Sequence, residues 1–205
     1  MLDAPDRTSN DRDEPYVVSV PLMRDPAEPP PPERVRALKR HLIRSLRDLR
    51  VAKRPERLIQ ARTPEPEGFT AAVLWAGCAT CQGHCCKGGG EHAYLDERTM
   101  ARVRHENPGL DARAIIGLYL ARLAPLSTRG SCLFHGPEGC TLGRALRAEL
   151  CNLYHCNGLL DFLKRDPPPD HVRVVAAHGG RERRSPVLSR PAPLPQGPSR
   201  DGAAG

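Results

Sequence analysis

The most concentrated chemistry of this chain lies in its eight cysteines, which all fall between positions 78 and 156. Four of them occur within nine residues of sequence Cys-Ala-Thr-Cys-Gln-Gly-His-Cys-Cys. Thiolates this close together suit zinc, or iron with sulfide, because one short loop can present several sulfurs to one centre. We therefore expect the cofactor to be an iron–sulfur cluster or Zn²⁺. The expected metal ligands are Cys78, Cys81, Cys85, Cys86, Cys132, Cys140, Cys151 and Cys156.

The spacing of the first four cysteines leaves the number of metal centres open. Cys78 and Cys81 form a Cys-x2-Cys knuckle, a common way for one turn to direct two sulfurs at one ion. Cys85 and Cys86 are adjacent, and neighbouring side chains in an extended loop point apart. The adjacent pair can serve one multinuclear cluster, divide between two centres, or leave one spare thiol.

Four histidines lie in or beside the cysteine blocks, namely His84, His92, His135 and His155. Because eight thiols are available, we expect each histidine to donate a hydrogen bond near the metal or to lie exposed in a loop, rather than to bind the metal. The sequence contains no Ser-His-Asp order, phosphate-binding loop or dinucleotide fingerprint.

At its cysteines the sequence resembles the YkgJ-like family, a bacterial-type cysteine-cluster family described as a zinc- or iron-chelating domain and marked by Cys-x2-Cys-x2-Cys-Cys. The first four cysteines correspond to that signature, and Cys132 and Cys140 correspond to the middle of the pattern. The segment from Arg147 to Cys156 matches the last block in its Arg-x3-Cys-x4-Cys spacing.

The chain departs from the family pattern at three places. Three residues, 82–84, precede Cys85 where the family usually has two, and Ala148 and Asn152 stand where the family usually has proline and arginine. The resemblance implies metal binding, with zinc and iron–sulfur both possible. A similar cysteine arrangement occurs in flagellin lysine methylases, so the resemblance also implies protein modification as an alternative. The chain has no visible signature for binding S-adenosylmethionine.

The composition predicts a small core and a basic surface. Only 39% of the residues are hydrophobic and 4% aromatic, so we expect metal to fasten a small domain. The net charge of +7 fits either solvated helix faces or a surface that binds protein or nucleic acid. The sequence specifies no other partner.

The pattern along the chain predicts four segments. Residues 1–32 form a disordered proline-rich segment, apart from a strand candidate at 16–20, and residues 33–68 form a basic amphipathic helix with its linker. Residues 69–165 form the cysteine-cluster metal-binding domain, with Trp75 packed against the metal loop. Residues 166–205 form a mostly disordered tail with one short strand at 171–177.

Three further helices are expected within the cysteine domain, at 96–106, 112–123 and 142–154, the last ending at Asn157-Gly158. The apolar stripe of the basic helix is expected to dock on this domain; its residues are Val35, Leu38, Leu42, Leu46 and Leu49. The predicted fold class is mainly α with irregular cysteine-rich loops, a small metal-fastened domain with disordered extensions.

The expected location is the cytoplasm, since the first residues lack the basic and apolar regions of a secretory signal and no apolar run is long enough for a membrane span. The expected function is cysteine-ligated metal binding with a structural role, to which redox or catalytic chemistry is an additional option. The alternatives are a zinc-fastened interaction module that binds protein or nucleic acid through its basic surface, and a protein-modifying enzyme related to flagellin lysine methylases.

Overall fold

The computed structural model describes residues 14–23, 25–59 and 61–191. The helices are α1 (Pro32–Val51), α2 (Gly68–Cys81), α3 (Glu97–Glu106), α4 (Ala112–Leu120), α5 (Glu149–Leu153) and α6 (Asn157–Leu163). The strands are β1 (Tyr16–Pro21), β2 (Ala27–Glu28), β3 (Ser127–Thr128), β4 (His135–Gly136), β5 (Gly139–Cys140), β6 (His171–His178), β7 (Arg181–Arg184) and β8 (Leu188–Ser189). Short 3-10 turns occupy Pro55–Leu58, His84–Gly89 and Arg144–Leu146.

A four-stranded sheet joins the two ends of the described chain. Its central strand β6 pairs in parallel with β1 and antiparallel with β7 and β8. Alternate residues of β6 and β1 face inward, so Val172, Val174 and Val18 are buried while their neighbours are more exposed. Helices α2 and α6 cover this inner face and form with it the sheet cluster of apolar side chains.

This sheet overturns the predicted fold class, because the chain is mixed α/β rather than mainly α. The strands expected at 16–20 and 171–177 are confirmed, as β1 and β6. The error lay in the residues around them, which were expected to be disordered, since residues 181–184 and 188–189 also form strands. β7 follows β6 in a tight hairpin, whereas β1 pairs with β6 from the other end of the described chain, and no local pattern predicts that pairing. Residues 1–13 and 192–205 lie outside the described residues.

The second layer is helical, with α1 packed against α3 and α4. The apolar stripe of α1 is buried in this layer through Leu38, Leu42, Leu46 and Leu49. They pack with residues of α3, α4 and the loop before β4 to form the helical cluster, whose largest members are Tyr119 and Phe134. Among the described residues, no helix has both the length and the apolar character needed to cross a membrane.

Helices α3 and α4 begin where the sequence predicted, whereas the helix expected over 142–154 is not continuous. Asp96 and Asp111 cap α3 and α4, because their carboxylates accept hydrogen bonds from the amides of Thr99 and Ala114 at 2.8 and 2.7 Å. The segment expected as one helix over 142–154 instead contains a 3-10 turn and the short α5. Asn157-Gly158, expected to end that helix, begins α6.

Trp75 also differs from expectation. Its side chain is 58% exposed, because α2 directs the neighbouring Val73 and Leu74 at the sheet and turns Trp75 toward solvent. The prediction that it packs as a core residue against the metal loop is therefore wrong.

Candidate metal centre

The last turn of α2 and the 3-10 turn after it carry the first four cysteines. Cys78 and Cys81 lie one helical turn apart, and the helix ends where Gln82 and Gly83 adopt positive φ angles of 57° and 82°. The chain thereby reverses, and the backbone amide of His84 donates a hydrogen bond to Cys81 Sγ at 3.4 Å. This amide stabilises negative charge on the sulfur, as expected beside a metal-binding thiolate.

Three other segments bring the remaining cysteines to the same region. The amide of Cys132 donates to the carbonyl of Cys86 at 3.1 Å, which ties the second block to the first. Cys140 ends the β4–β5 hairpin, Cys151 lies in α5, and Cys156 precedes the first residue of α6.

Five of the eight cysteines lie at the two apolar clusters. Cys81 is buried in the sheet cluster, and Cys156 packs against that cluster. Cys132 is buried in the helical cluster, and Cys86 and Cys140 pack against it. These five cysteines therefore lie on the two sides of the seam between the sheet and the helical layer.

The influence of each thiol on the pKa of its neighbours indicates which cysteines lie close to one another. Burial, followed by the neighbouring Cys85, Cys81 and Cys156, raises the pKa of Cys78 to about 11. We call these four the sheet-side thiols.

The other four cysteines form the helix-side thiols, Cys86, Cys132, Cys140 and Cys151. Burial raises the pKa of Cys132 to about 12, with smaller contributions from Cys140 and Cys151. Burial raises the pKa of Cys151 to about 11, with Cys140 and then Cys85 adding to it. Cys140 and Cys132 also raise the pKa of Cys86.

The adjacent cysteines connect the two sets. The thiol of Cys86 donates a hydrogen bond to the sulfur of Cys85, which lowers the pKa of Cys85 to about 7 and raises that of Cys86. The two thiols differ in their further neighbours, since Cys85 influences the pKa of Cys78 and Cys151, whereas Cys140 and Cys132 influence the pKa of Cys86. Division of the pair between two metal centres stays a hypothesis.

One guanidinium group lies beside both sets. Arg147 lowers the pKa of Cys78, Cys85 and Cys151, so its positive charge is felt on each side of the seam. Its Nε donates to the carbonyl of Leu142 at 2.8 Å, which holds the side chain in place. The same three cysteines are exposed at the surface, so the seam is open to entry of an ion from solvent.

The donor types suit a thiophilic ion, but the thiols do not form a closed coordination shell. In residues 14–23, 25–59 and 61–191, no group of three or more Cys, His, Asp or Glu side chains is arranged to hold a metal ion. The eight cysteines are therefore neighbours as free thiols. That they are ligands stays a prediction, and binding would require them to move closer together.

The histidines have separate roles. His135 is buried, and its two ring nitrogens lie at 2.8 Å from Ser131 Oγ and 2.6 Å from the carbonyl oxygen of Gln82, so both are occupied. Burial lowers the pKa of His135 and of His155. Nδ1 of His155 is buried without a hydrogen-bond partner in the described part of the chain.

His84 and His92 lie in the loops around the first cysteine block. His84 contributes its backbone amide to Cys81, as described above. His92 is exposed, and its Nδ1 accepts a hydrogen bond from the amide of Tyr94 at 3.1 Å.

Tyr94 is a neighbour of the thiols that the sequence did not indicate. It and Ala93 have φ angles of 57° and 53°, an uncommon backbone for residues other than glycine. The turn presses the Tyr94 hydroxyl against Gly88, where an added methyl group would overlap it. Burial raises the pKa of Tyr94, with Cys151 and Cys85 adding to the effect. Only the run of glycines before this turn could have drawn attention to it.

No family model matches the chain, and no curated protein or solved structure matches it either.

Proposed function

We propose that this chain is a cytoplasmic metal-binding protein of the YkgJ-like type that holds zinc or an iron–sulfur cluster through its eight cysteines. The observation that carries the proposal is that free thiols from separate segments lie on both sides of one seam, Cys81 and Cys156 at the sheet cluster and Cys86, Cys132 and Cys140 at the helical cluster. Four thiolates are the usual ligand set of structural zinc and of iron–sulfur clusters. Free thiols in this number persist in a reducing compartment such as the cytoplasm.

The structural role of the metal follows from where the sets lie. Two sheet-side thiols lie at the sheet cluster and three helix-side thiols lie at the helical cluster, and Cys85 and Cys86 are joined by one peptide bond. Ions bound by the two sets would therefore fasten the sheet layer to the helical layer. A chain with 4% aromatic residues has few large side chains to do this by packing alone.

The test is anaerobic loading of the full chain with zinc, and separately with iron and sulfide, followed by metal and sulfide analysis. We expect two zinc ions, or two clusters, per chain in the unmodified protein. Cys81→Ser removes a sheet-side thiol and Cys132→Ser a helix-side thiol, so each should halve the bound metal. The double variant should bind none, because binding at such sites depends on a complete ligand set.

Thr80→Ala is the matched control, since Thr80 is a buried neighbour of Cys81 without a thiol. It should retain full metal content. Absence of stoichiometric metal from the unmodified protein in both loadings would overturn the proposal. Full metal content in both single cysteine variants would overturn it as well.

A further inference from the structure

Docking of α1 leaves one face of this helix turned outward. Leu38, Leu42, Leu46 and Leu49 are buried in the helical cluster. At 3.6 residues per turn these positions occupy one side of the helix, so the opposite side is presented to solvent along its whole length.

The outward side of α1 is rich in cations, although Glu33, Ile43, Asp48 and Val51 are also exposed on this helix. Its exposed basic residues are Arg36, Lys39, Arg40, Arg44, Arg47 and Arg50, which we call the α1 basic face. At 100° per residue they fall within a sector of about 140°, whose centre lies about 130° around the helix from the centre of the buried leucines. Arg47 pairs with Asp48, and within the described residues the other five make no ion pair.

The length over which these cations extend matches several phosphates of a duplex. From residue 36 to residue 50 the helix rises about 21 Å, at 1.5 Å per residue. One strand of a nucleic-acid duplex carries one phosphate per roughly 3.4 Å of axis, so the same length spans about six phosphates. Five of the six cations are arginines, whose planar guanidinium groups bind phosphate oxygens in pairs.

An anionic membrane fits this face less well. An amphipathic helix binds a bilayer by burying an apolar face below the headgroups. The apolar stripe of α1 is already used by the core, and the exposed apolar side chains of the helix are Ile43 and Val51, 48% and 69% exposed. Two isolated side chains do not make an inserting face.

We propose that the α1 basic face binds the phosphodiester backbone of double-stranded nucleic acid without reading the bases. The six cations lie on one helix that the core holds in place, so their backbone needs no ordering when they bind. Such contacts position a protein on a duplex and carry no sequence information. The inference is independent of metal binding, because none of the six residues lies at the thiol seam.

The test is fluorescence anisotropy of the full chain with a labelled DNA duplex of about 20 base pairs and with the matching RNA duplex. Each phosphate contact contributes about −0.9 to the slope of log K against log salt concentration. With four to six contacts, raising the salt from about 50 to 200 mM should weaken binding by roughly 150- to 2,000-fold. The slope should not depend on the base sequence of the duplex.

Two pairs of variants separate the α1 basic face from net charge. Arg40→Gln with Arg44→Gln removes two cations from this face and should make the slope shallower by about 1.8. Arg104→Gln with Arg113→Gln removes two exposed cations from α3 and α4 and should leave the slope unchanged. Circular dichroism establishes that both variants are folded.

Binding to either duplex with this response supports the inference. It is overturned if neither duplex binds at the low salt concentration, or if the two variant pairs weaken binding equally. It is also overturned if vesicles containing an anionic lipid bind the chain while both duplexes do not.

Discussion

Replacing Gly158 with alanine should destabilise the protein at the contact between α6 and β1. A methyl group at Gly158 would overlap the carbonyl oxygen of Ser19 and lie 2.9 Å from its carbonyl carbon. Ser19 is paired with Val175 of β6, so its backbone cannot withdraw without disturbing the sheet. Gly158 also follows Cys156 by two residues, and a displaced α6 would move that thiol.

The loss in free energy of unfolding can be estimated from the movement that the added methyl group would force on its neighbours. Over-packing of this kind costs about 1–3 kcal/mol. A weakened strand hydrogen bond adds about 1 kcal/mol, and the better helix propensity of alanine returns about as much. The net loss of about 1–3 kcal/mol corresponds to a Tm lower by roughly 2–12 °C for a chain of this length. Thermal unfolding of the metal-free protein, followed by circular dichroism, measures it.

Gly117 in α4 provides the matched control. An added methyl group there meets no atom within 4 Å outside its own helix, so Gly117→Ala should raise the free energy of unfolding by about 0.5–1 kcal/mol. The two variants should therefore shift Tm in opposite directions. A Gly158→Ala protein that melts at or above the unmodified chain would refute the close approach of α6 to β1.

Three further predictions concern the layers on either side of the seam. Tyr119→Phe should lower the free energy of unfolding by about 1–3 kcal/mol, because the buried Tyr119 hydroxyl donates a hydrogen bond to the carbonyl of Leu146 at 2.9 Å and its loss leaves that oxygen unpaired. A denaturant titration measures this, and an unchanged midpoint would contradict it. A chain ending at residue 179 should melt well below one ending at residue 191, because residues 180–191 supply β7 and β8; equal Tm values would mean that these strands contribute no stability. Because burial lowers the pKa of His135, the unfolded chain takes up its proton first as the pH falls. As the pH falls below about 6.5, the free energy of unfolding should decrease by up to 1.4 kcal/mol per pH unit. His135→Gln should make this pH dependence weaker.

The sequence alone predicted the elements whose signals are local. Asp96 and Asp111 start helices because a carboxylate at that position accepts the free amides of the first turn. The leucines of α1 repeat at helical spacing and are buried as that spacing requires. That the eight cysteines are metal ligands stays a prediction.

The tertiary structure decided the fold class and the division of the thiols. The local pattern predicted β1 and β6 as separate strands, but it carries no information that they pair with each other, because they lie about 150 residues apart in the sequence. Cys85 and Cys86 have almost the same sequence environment, yet Cys85 is coupled to the sheet-side thiols and Cys86 to those of the helical layer. That difference depends on which buried surfaces lie beside each sulfur, and those surfaces exist only once the sheet and the helical layer have packed together.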